Sequence, residues 1–305
     1  MNDRFRILTL LLACAIVPGC GTKPASAQKT FASAEDAVVE LVDAAKARDR
    51  ERLDALLGPD GQKILSSGDP VADQQAREVF LAAYQERAEL VLDDDGRTIL
   101  NVGNETWPLP IPLVKEGERW RFDTAAAAEA ILFRRVGRNE LSTIETLRRF
   151  VETQKEYAAG AHDGKTKGVY AQKFLSTPGK HDGLYWKSDD STEASPLGEL
   201  AADAAEEGYK LQGDMPQAFH GYFFRMLTGR GATASGGAMS YIVNGEMRGG
   251  FAIVAFPAEY KNSGVMTFIV DDHGKVYEKD LGMDTPKLAA AIQVFDPDSS
   301  WTETE

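Results

Sequence analysis

The sequence predicts an α+β protein in two parts, and three patterns support this prediction. Apolar residues recur at helical spacing over residues 33–57 and 73–90, and short strand patterns with turn residues follow over 98–122. A second helical pattern, over 139–157, precedes several strand patterns within 222–280. We therefore expect N-terminal helices with a small antiparallel sheet, then a pilin-like long helix packed on an antiparallel meander sheet.

The first predicted helix begins after Ser33, whose side chain is able to cap it. Ala37 and Leu41 lie on its apolar face, and the pair Gly58-Pro59 ends the pattern. The second helix is expected over 73–90. Helices followed by a small sheet are typical of cystatin-like and nuclear-transport-factor-like cones, some of which hold ligands while others act as spacers.

The segment Trp107-Pro-Leu-Pro-Ile-Pro has a proline at every second position. Pro108, Pro110 and Pro112 have no backbone N–H to donate. A central strand needs these donors, so we expect the segment at a sheet edge or in an extended loop.

The long helix of the second part is amphipathic. Its apolar positions fall on one face, which we expect to pack against the rest of this part. These positions are Leu141, Ile144, Leu147, Val151 and Tyr157.

A hairpin is predicted at Asn244-Gly245, because this pair favours the tight turn between antiparallel strands. One long helix before such a sheet is the layout of pilin and pseudopilin heads. In those proteins an apolar segment precedes the helix and drives filament assembly, whereas a soluble domain is predicted before it here. The sequence therefore does not favour membership of a filament.

The N-terminal residues have the pattern of an export signal. Arg4 and Arg6 precede an apolar run over 7–17, which is too short to span a bilayer as a helix. Val17-Pro18-Gly19-Cys20 resembles the lipobox at which bacterial signal peptidase cleaves before a lipid-modified cysteine. We expect a signal peptide over 1–19 and lipid attachment at Cys20.

A second cleavage site competes with the lipobox. Ala25-Ser26-Ala27 before Gln28 suits the ordinary signal peptidase, which would remove Cys20 and leave no lipid. The first reading predicts a protein anchored by lipid on the periplasmic side of the cell envelope. The second predicts a protein secreted to the periplasm.

The mature chain divides into three predicted segments. We expect a tether over 20–30, an N-terminal α+β domain over 31–133 and a pilin-like α+β domain over 134–305. The only two cysteines, Cys14 and Cys20, precede both domains, which excludes disulfides, thiol catalysis and cysteine-based zinc sites there.

The chain is acidic, with a formal net charge of −13. Removal of residues 1–19 takes away Asp3, Arg4 and Arg6 and leaves −14. Such a body repels nucleic acid and anionic lipid. We expect the membrane, reached through the lipid, and other envelope proteins or glycans as partners, and no nucleic acid.

One basic region stands out in this acidic chain. Two uses are open for it: a site for phosphate or a lipid headgroup, or ion pairs with carboxylates that tie the two halves together. It contains Arg134, Arg135, Arg138, Arg148 and Arg149.

Motif searches give no catalytic residue, no cofactor and no metal site. His162-Asp163-Gly164 and His181-Asp182-Gly183 repeat one tripeptide that is able to ligate a metal, but Asp-Gly is also a common turn pair, which we favour. Gly229-Arg-Gly231 imitates a dinucleotide fingerprint but leads into a strand instead of a helix, which argues against nucleotide binding. Nucleophile-elbow and penicillin-recognising motifs are absent.

The predicted binding site combines aromatic and polar side chains, as sites for sugars or peptides do. The competing interpretation is a core tryptophan under a long loop, with Arg225 neutralised by Asp280 or Glu259. The predicted site residues are His181, Asp182, Tyr185, Trp186, His220, Tyr222 and Arg225.

Several long motifs together resemble a bacterial exported family known as the domain of unknown function numbered twenty-nine fifty. They include Trp107-Pro-Leu-Pro-Ile-Pro-Leu-Val, Arg135-Val-Gly-Arg-Asn-Glu, Lys180-His-Asp-Gly-Leu-Tyr-Trp, His220-Gly-Tyr-Phe-Phe-Arg and Gly264-Val-Met-Thr-Phe-Ile-Val. The resemblance extends from about Phe31 to Trp301 and implies an envelope location, with no catalytic residues to carry over. Lys165 and Lys167 stand where more acidic residues are expected, which argues against a calcium loop near His162.

The sequence therefore predicts a non-enzymatic binding or interaction module tethered in the periplasm. One alternative is a periplasmic hydrolase that acts on cell-wall or polysaccharide material through carboxylates or through His181 and His220, which would then have to converge in one pocket. Another is a pseudopilin-like component of a secretion or adhesion apparatus.

Overall fold

The computed structural model describes residues 28–187, 194–210 and 217–304. Its helices are α1 Ala34–Ala47, α2 Arg50–Leu57, α3 Gly61–Leu65, α4 Pro70–Glu86, α5 Thr124–Ala159, α6 Gly198–Glu206 and α7 Thr285–Ala291, with a short 3-10 helix Gly282–Asp284. The strands of the first half are β1 Ala88–Leu92, β2 Thr98–Val102, β3 Trp107–Pro108, β4 Leu113–Glu116 and β5 Arg119–Phe122. Those of the second half are β6 Tyr222–Leu227, β7 Gly229–Arg230, β8 Met239–Ser240, β9 Ile242–Val243, β10 Glu246–Met247, β11 Ala252–Pro257, β12 Met266–Asp271, β13 Val276–Asp280 and β14 Thr302–Glu303.

The signal peptide, Cys20 and the competing cleavage site after Ala27 lie outside the described residues. No helix among the described residues combines the length and the apolar character that a membrane span requires.

The first predicted helix is present, but it is two helices. Ser33 caps α1 as expected, since its Oγ accepts a 3.1 Å hydrogen bond from the N–H of Asp36. The helix ends at Ala47, the following residue Arg48 has a left-handed φ of 55°, and Asp49 then caps α2. Aspartate is favoured at the N-cap of a helix over its interior, so Asp49 starts a new helix here. The prediction of a single helix is therefore wrong.

The small sheet of the first half is antiparallel, with strand order β1-β2-β4-β5 and β3 paired to β2. The predicted second helix is too long at its C-terminal end, since α4 ends at Glu86 and residues 88–92 form β1. The proline segment contributes only two residues to β3, and Leu109 to Pro112 lie outside the strands. A core that includes Ala37, Leu56 and Phe122 joins this sheet to the helices.

One helix of 36 residues, α5, is shared by both halves. At 1.5 Å per residue it is about 54 Å long. It is longer than the predicted span of 139–157 and runs through the predicted domain boundary after residue 133. Leu147 and Tyr157 are buried as expected, but Leu141, which we expected on the buried face, is 71% exposed.

The second half is a five-stranded antiparallel sheet in the order β14-β13-β12-β11-β6. Strand β11 lies between β12 and β6, and all of its residues except Phe256 are buried. The predicted hairpin is present between β9 and β10, where Asn244 and Gly245 have φ of 52° and 80°. The predicted α+β class, with a long helix and antiparallel sheets, is confirmed.

Hydrogen bonds of Arg135 and Asp69 are among those that join the halves. The guanidinium of Arg135 donates to the carbonyl oxygens of Lys63 at 2.8 Å and Ile64 at 2.7 Å, and to Oδ1 of Asn262 at 2.6 Å. Asp69, which is buried, accepts from the Tyr209 hydroxyl and from the N–H of Gly221. The arginine therefore connects the halves as expected, but through carbonyl and amide oxygens instead of carboxylates.

Candidate functional site

The predicted aromatic residues form a packed stack. The rings of His181 and Trp186 are nearly parallel, with centroids 4.2 Å apart, and His162 stacks on Tyr157 at the same distance. The Tyr157 hydroxyl donates a 2.7 Å hydrogen bond to the carbonyl of His181. Trp186 is only 6% exposed and belongs to the main hydrophobic core. Its ring is therefore covered by these neighbours and offers little surface to a ligand.

The carboxylates of the repeated His-Asp-Gly tripeptide hold turns. Asp182 accepts hydrogen bonds from the N–H and the hydroxyl of Thr177 and forms an ion pair with Lys173. Asp163 accepts from the N–H of His181. Burial raises the pKa of Asp182, but the bonds from Lys173 and Thr177 outweigh burial and lower the pKa to about 2. This arrangement is the one that the turn interpretation predicts.

Tyr185 and Tyr222 are structural in their surroundings. The backbone of Tyr185 bridges to the strand-like segment around Phe174, and its side chain packs against the core. Tyr222 is fully buried, and its hydroxyl donates to the carbonyl of Met266 at 2.9 Å. Burial is the first cause of its raised pKa.

His220 and Arg225 lie in two other sets of contacts. The Nε2 of His220 is 2.8 Å from a carboxylate oxygen of Glu207. Arg225 donates to the carbonyl oxygens of Ala289 and Ile292, at the C-terminal end of α7. The expected carboxylate partners, Asp280 and Glu259, do not form these bonds. The structure thus brings together His181, Asp182 and Trp186, while His220, Tyr222 and Arg225 each have partners elsewhere.

An exposed surface on α5, here called the α5 face, was missed at the sequence level. Phe133 is 79% exposed and Leu141 is 71% exposed. Arg134 and Arg138 lie on the same side, because residues four apart follow one another along a helix. Neither arginine forms a hydrogen bond or ion pair with any residue that the structure describes. The spacing of these four residues was visible in the sequence, but Leu141 was assigned to the buried face.

A groove adjoins the α5 face and is here called the proline groove. Its volume is about 260 Å³. One wall is the proline segment from Pro108 to Pro112, and the other consists of alanines of α5, with Arg97 and Arg134 also among the lining residues. Arg97 is paired with Asp93 and Asp95, so Arg134 provides the uncompensated charge of this groove. Trp107, 60% exposed, precedes the proline wall.

One group of described side chains has the donor types of a metal site. Asp271, Asp272 and His273 each place one donor atom within 4.8 Å of the others. Sequence reasoning passed over His273 because it lacks a helical partner, although turns also supply metal ligands.

A family model described as "Protein of unknown function (DUF2950)" matches residues 28–304. The chain belongs to this family. The match spans both halves of the DUF2950 protein and the whole of α5, and it confirms the resemblance predicted from the motifs. No curated protein and no solved structure is significantly similar to this DUF2950 chain.

Proposed function

We propose that this DUF2950 protein is a non-enzymatic binding module of the bacterial cell envelope, tethered in the periplasm through a lipid on Cys20, which binds the anionic membrane surface with its α5 face. The observation that carries the proposal is the α5 face, where two large exposed apolar side chains and two unpaired arginines share one side of a helix. Basic residues beside exposed apolar ones are typical of surfaces that enter the membrane interface.

The position of Gln28 supports this proposal. The side chain of Gln28 donates to the carbonyls of Leu56 and Phe122 at 2.8 and 2.7 Å, and α5 begins two residues after Phe122. Cys20 lies eight residues before Gln28. A chain of that length reaches about 28 Å when it is extended. Phe133 lies about 14 Å along the axis of α5 from its start. A lipid on Cys20 therefore has enough chain to bring the α5 face to the bilayer.

The energies are sufficient for weak binding through the α5 face alone and for orientation of a tethered protein. Partial burial of Phe133 and Leu141 contributes about 1–2 kcal/mol each, and each arginine near an anionic surface adds about 1 kcal/mol. The acidic body opposes this attraction, but at physiological salt its charges are screened beyond about 8 Å. Contacts within that distance, which Arg134 and Arg138 provide, then decide how the protein lies on the membrane.

The alternative functions have less support from the geometry. The hydrolase hypothesis through His181 and His220 needs the two side chains in one pocket, and each has its own partners, Trp186 and Glu207. The pseudopilin hypothesis needs an apolar segment before the long helix, and the helix here follows a folded half instead. Binding of envelope proteins or glycans is compatible with the same α5 face.

Mass spectrometry of the mature N-terminus, on protein taken from the native membrane fraction, tests the tether. Acylated Cys20 is expected. A mature chain that begins at Gln28 without lipid would contradict the tether and leave the α5 face to be tested alone.

Vesicle flotation tests the α5 face. The experiment uses the Cys20→Ser variant, which has no lipid. Its binding to vesicles that contain phosphatidylglycerol is compared with its binding to vesicles of phosphatidylcholine alone. Binding to the anionic vesicles is expected, with a loss of roughly thirtyfold, or about 2 kcal/mol, in the Arg134→Gln/Arg138→Gln variant. The control is Met283→Ala/Lys287→Glu, which changes exposed residues near α7. Equal binding by the arginine variant and the control would contradict the proposal.

A further inference from the structure

The turn between β12 and β13 places three metal-binding side chains in sequence. Asp271 ends β12, and Asp272, His273 and Gly274 form the turn, in which the N–H of Gly274 donates to the carbonyl of Asp271. Asp271 is 4% exposed, Asp272 is partly buried, and the His273 ring is open to solvent.

The separations of the donor atoms match those around a small divalent ion. The Nδ1 of His273 is 3.0 Å from Oδ2 of Asp271 and 3.4 Å from Oδ1 of Asp272. With ligand bonds of about 2.0–2.2 Å, neighbouring donors lie about 3.0 Å apart in an octahedron and about 3.4 Å apart in a tetrahedron. A histidine–aspartate hydrogen bond without metal has the same length, so the distances alone do not decide between the two.

A buried hydroxyl beside the turn provides an independent observation. The hydroxyl of Tyr241 is fully buried and has no hydrogen-bond partner among the described residues. An unsatisfied buried O–H costs about 1–3 kcal/mol, so such groups normally have a partner. The ring lies beside the turn, with Cε1, next to the hydroxyl-bearing carbon, as its nearest atom: a Cβ on Gly250 would lie 2.9 Å from Cε1 of Tyr241 and 3.4 Å from Oδ1 of Asp272.

The local charge favours a bound cation. Asp271 and Asp272 place two carboxylates side by side, and the His273 ring lies close to both. The guanidinium of Arg230 directs its Nε to the carbonyl of Gly237. A divalent ion would neutralise two carboxylates that now repel each other.

We propose that Asp271, Asp272 and His273 bind one divalent transition-metal ion, with the Tyr241 hydroxyl donating a hydrogen bond to a water or carboxylate oxygen of its coordination shell. Two carboxylates with one imidazole suit zinc or manganese, whereas calcium prefers six to eight oxygen ligands. The site lies in the second half, apart from the α5 face, so this inference is independent of the proposed function.

Calorimetric titration of the EDTA-treated mature protein with zinc chloride tests the site. One ion per chain is expected, with binding at least about tenfold weaker in Asp272→Asn and in His273→Ala. The matched control, Asp94→Asn, removes the same charge from an exposed turn and is expected to bind zinc as the wild type does. Several weak sites, or one site that Asp272→Asn leaves unchanged, would overturn the proposal.

The Tyr241→Phe variant gives a second readout. Removal of an unsatisfied hydroxyl is expected to leave the metal-free protein as stable as the wild type or more stable. With zinc, the variant is expected to bind about tenfold more weakly and to gain less in melting temperature. If Tyr241→Phe and wild type bind zinc equally, the role of the hydroxyl is refuted.

Discussion

The hydroxyl of Tyr209 donates a 2.7 Å hydrogen bond to Oδ2 of Asp69, a residue of the first half. The other carboxylate oxygen, Oδ1, accepts from the N–H groups of Val71 and Ala72 and so caps α4. The N–H of Gly221 is a further donor to Oδ2. Burial, followed by the bond to Asp69, raises the pKa of Tyr209, so the phenol remains the donor. One carboxylate thus starts a helix and joins the two halves.

The first prediction concerns Asp69. Asp69→Ala is expected to lower the free energy of unfolding by about 2–4 kcal/mol, because it removes a cap and leaves buried donors unpaired. Tyr209→Phe, which removes the bond to Asp69 and the longer one accepted from the N–H of His220, is expected to cost about 1–2 kcal/mol. Urea denaturation measures both. Asp60→Ala is the control, since Asp60 precedes α3 without a capping bond. A loss for Asp69→Ala no larger than for Asp60→Ala would contradict this account.

The second prediction concerns Arg225. Its guanidinium donates to the carbonyls of Ala289 and Ile292 at 2.8 and 2.6 Å, so it satisfies the end of α7. Arg225→Met is expected to cost about 1–3 kcal/mol and to speed hydrogen exchange in residues 285–292. Exchange there that stays at the wild-type rate would show that α7 does not depend on Arg225.

The third prediction is a pH dependence set by Asp182. Its pKa is lowered from 3.8 to about 2 in the folded protein, so its contribution to stability is present above the unfolded value and is lost as the pH falls from about 5 to about 2. The contribution is at most about 2 kcal/mol, since Lys173 is partly exposed. Asp182→Asn is expected to flatten the stability profile in that range, and Asp94→Asn is expected to leave it unchanged.

The fourth prediction compares two glycines. Gly137 lies inside α5 with no atom within 4 Å of an added Cβ, so Gly137→Ala is expected to stabilise the protein by about 0.5–1 kcal/mol. At Gly264 an added Cβ would overlap the Tyr222 hydroxyl, which is held by Met266. Gly264→Ala is expected to destabilise the protein by about 2–3 kcal/mol or more. Thermal unfolding measures both variants. The melting temperature is expected to rise for Gly137→Ala and to fall for Gly264→Ala.

The sequence predicted the structure correctly where that structure depends on residues close together in the chain. Ser33 as a cap and Asn244-Gly245 as a hairpin turn depend on backbone geometry within a few residues. The sequence failed where packing decides, as at Leu141, whose helical spacing fits a buried face but which has no neighbour to cover it. The break at residues 48–49 was not predicted, because the apolar residues on either side of Asp49 keep the spacing of one continuous helix.

The predicted site depended on contacts that sequence spacing does not contain. His181 and Trp186 are close in the chain and do stack, whereas Arg225 finds carbonyl groups more than sixty residues away. The turn at Asp271 was missed because the buried Tyr241 beside it comes from a different segment of the chain. Buried hydroxyls without partners are visible only once the fold is known.

The continuity of α5 means that the two halves of this protein are not interchangeable modules. A gene fusion or truncation joined after residue 133 would cut α5 near its N-terminal end and separate Arg135 from the carbonyl oxygens of Lys63 and Ile64. The family model also continues across this point, since it matches residues 28–304. We therefore expect fragments divided at residue 133 to be less stable than the whole chain.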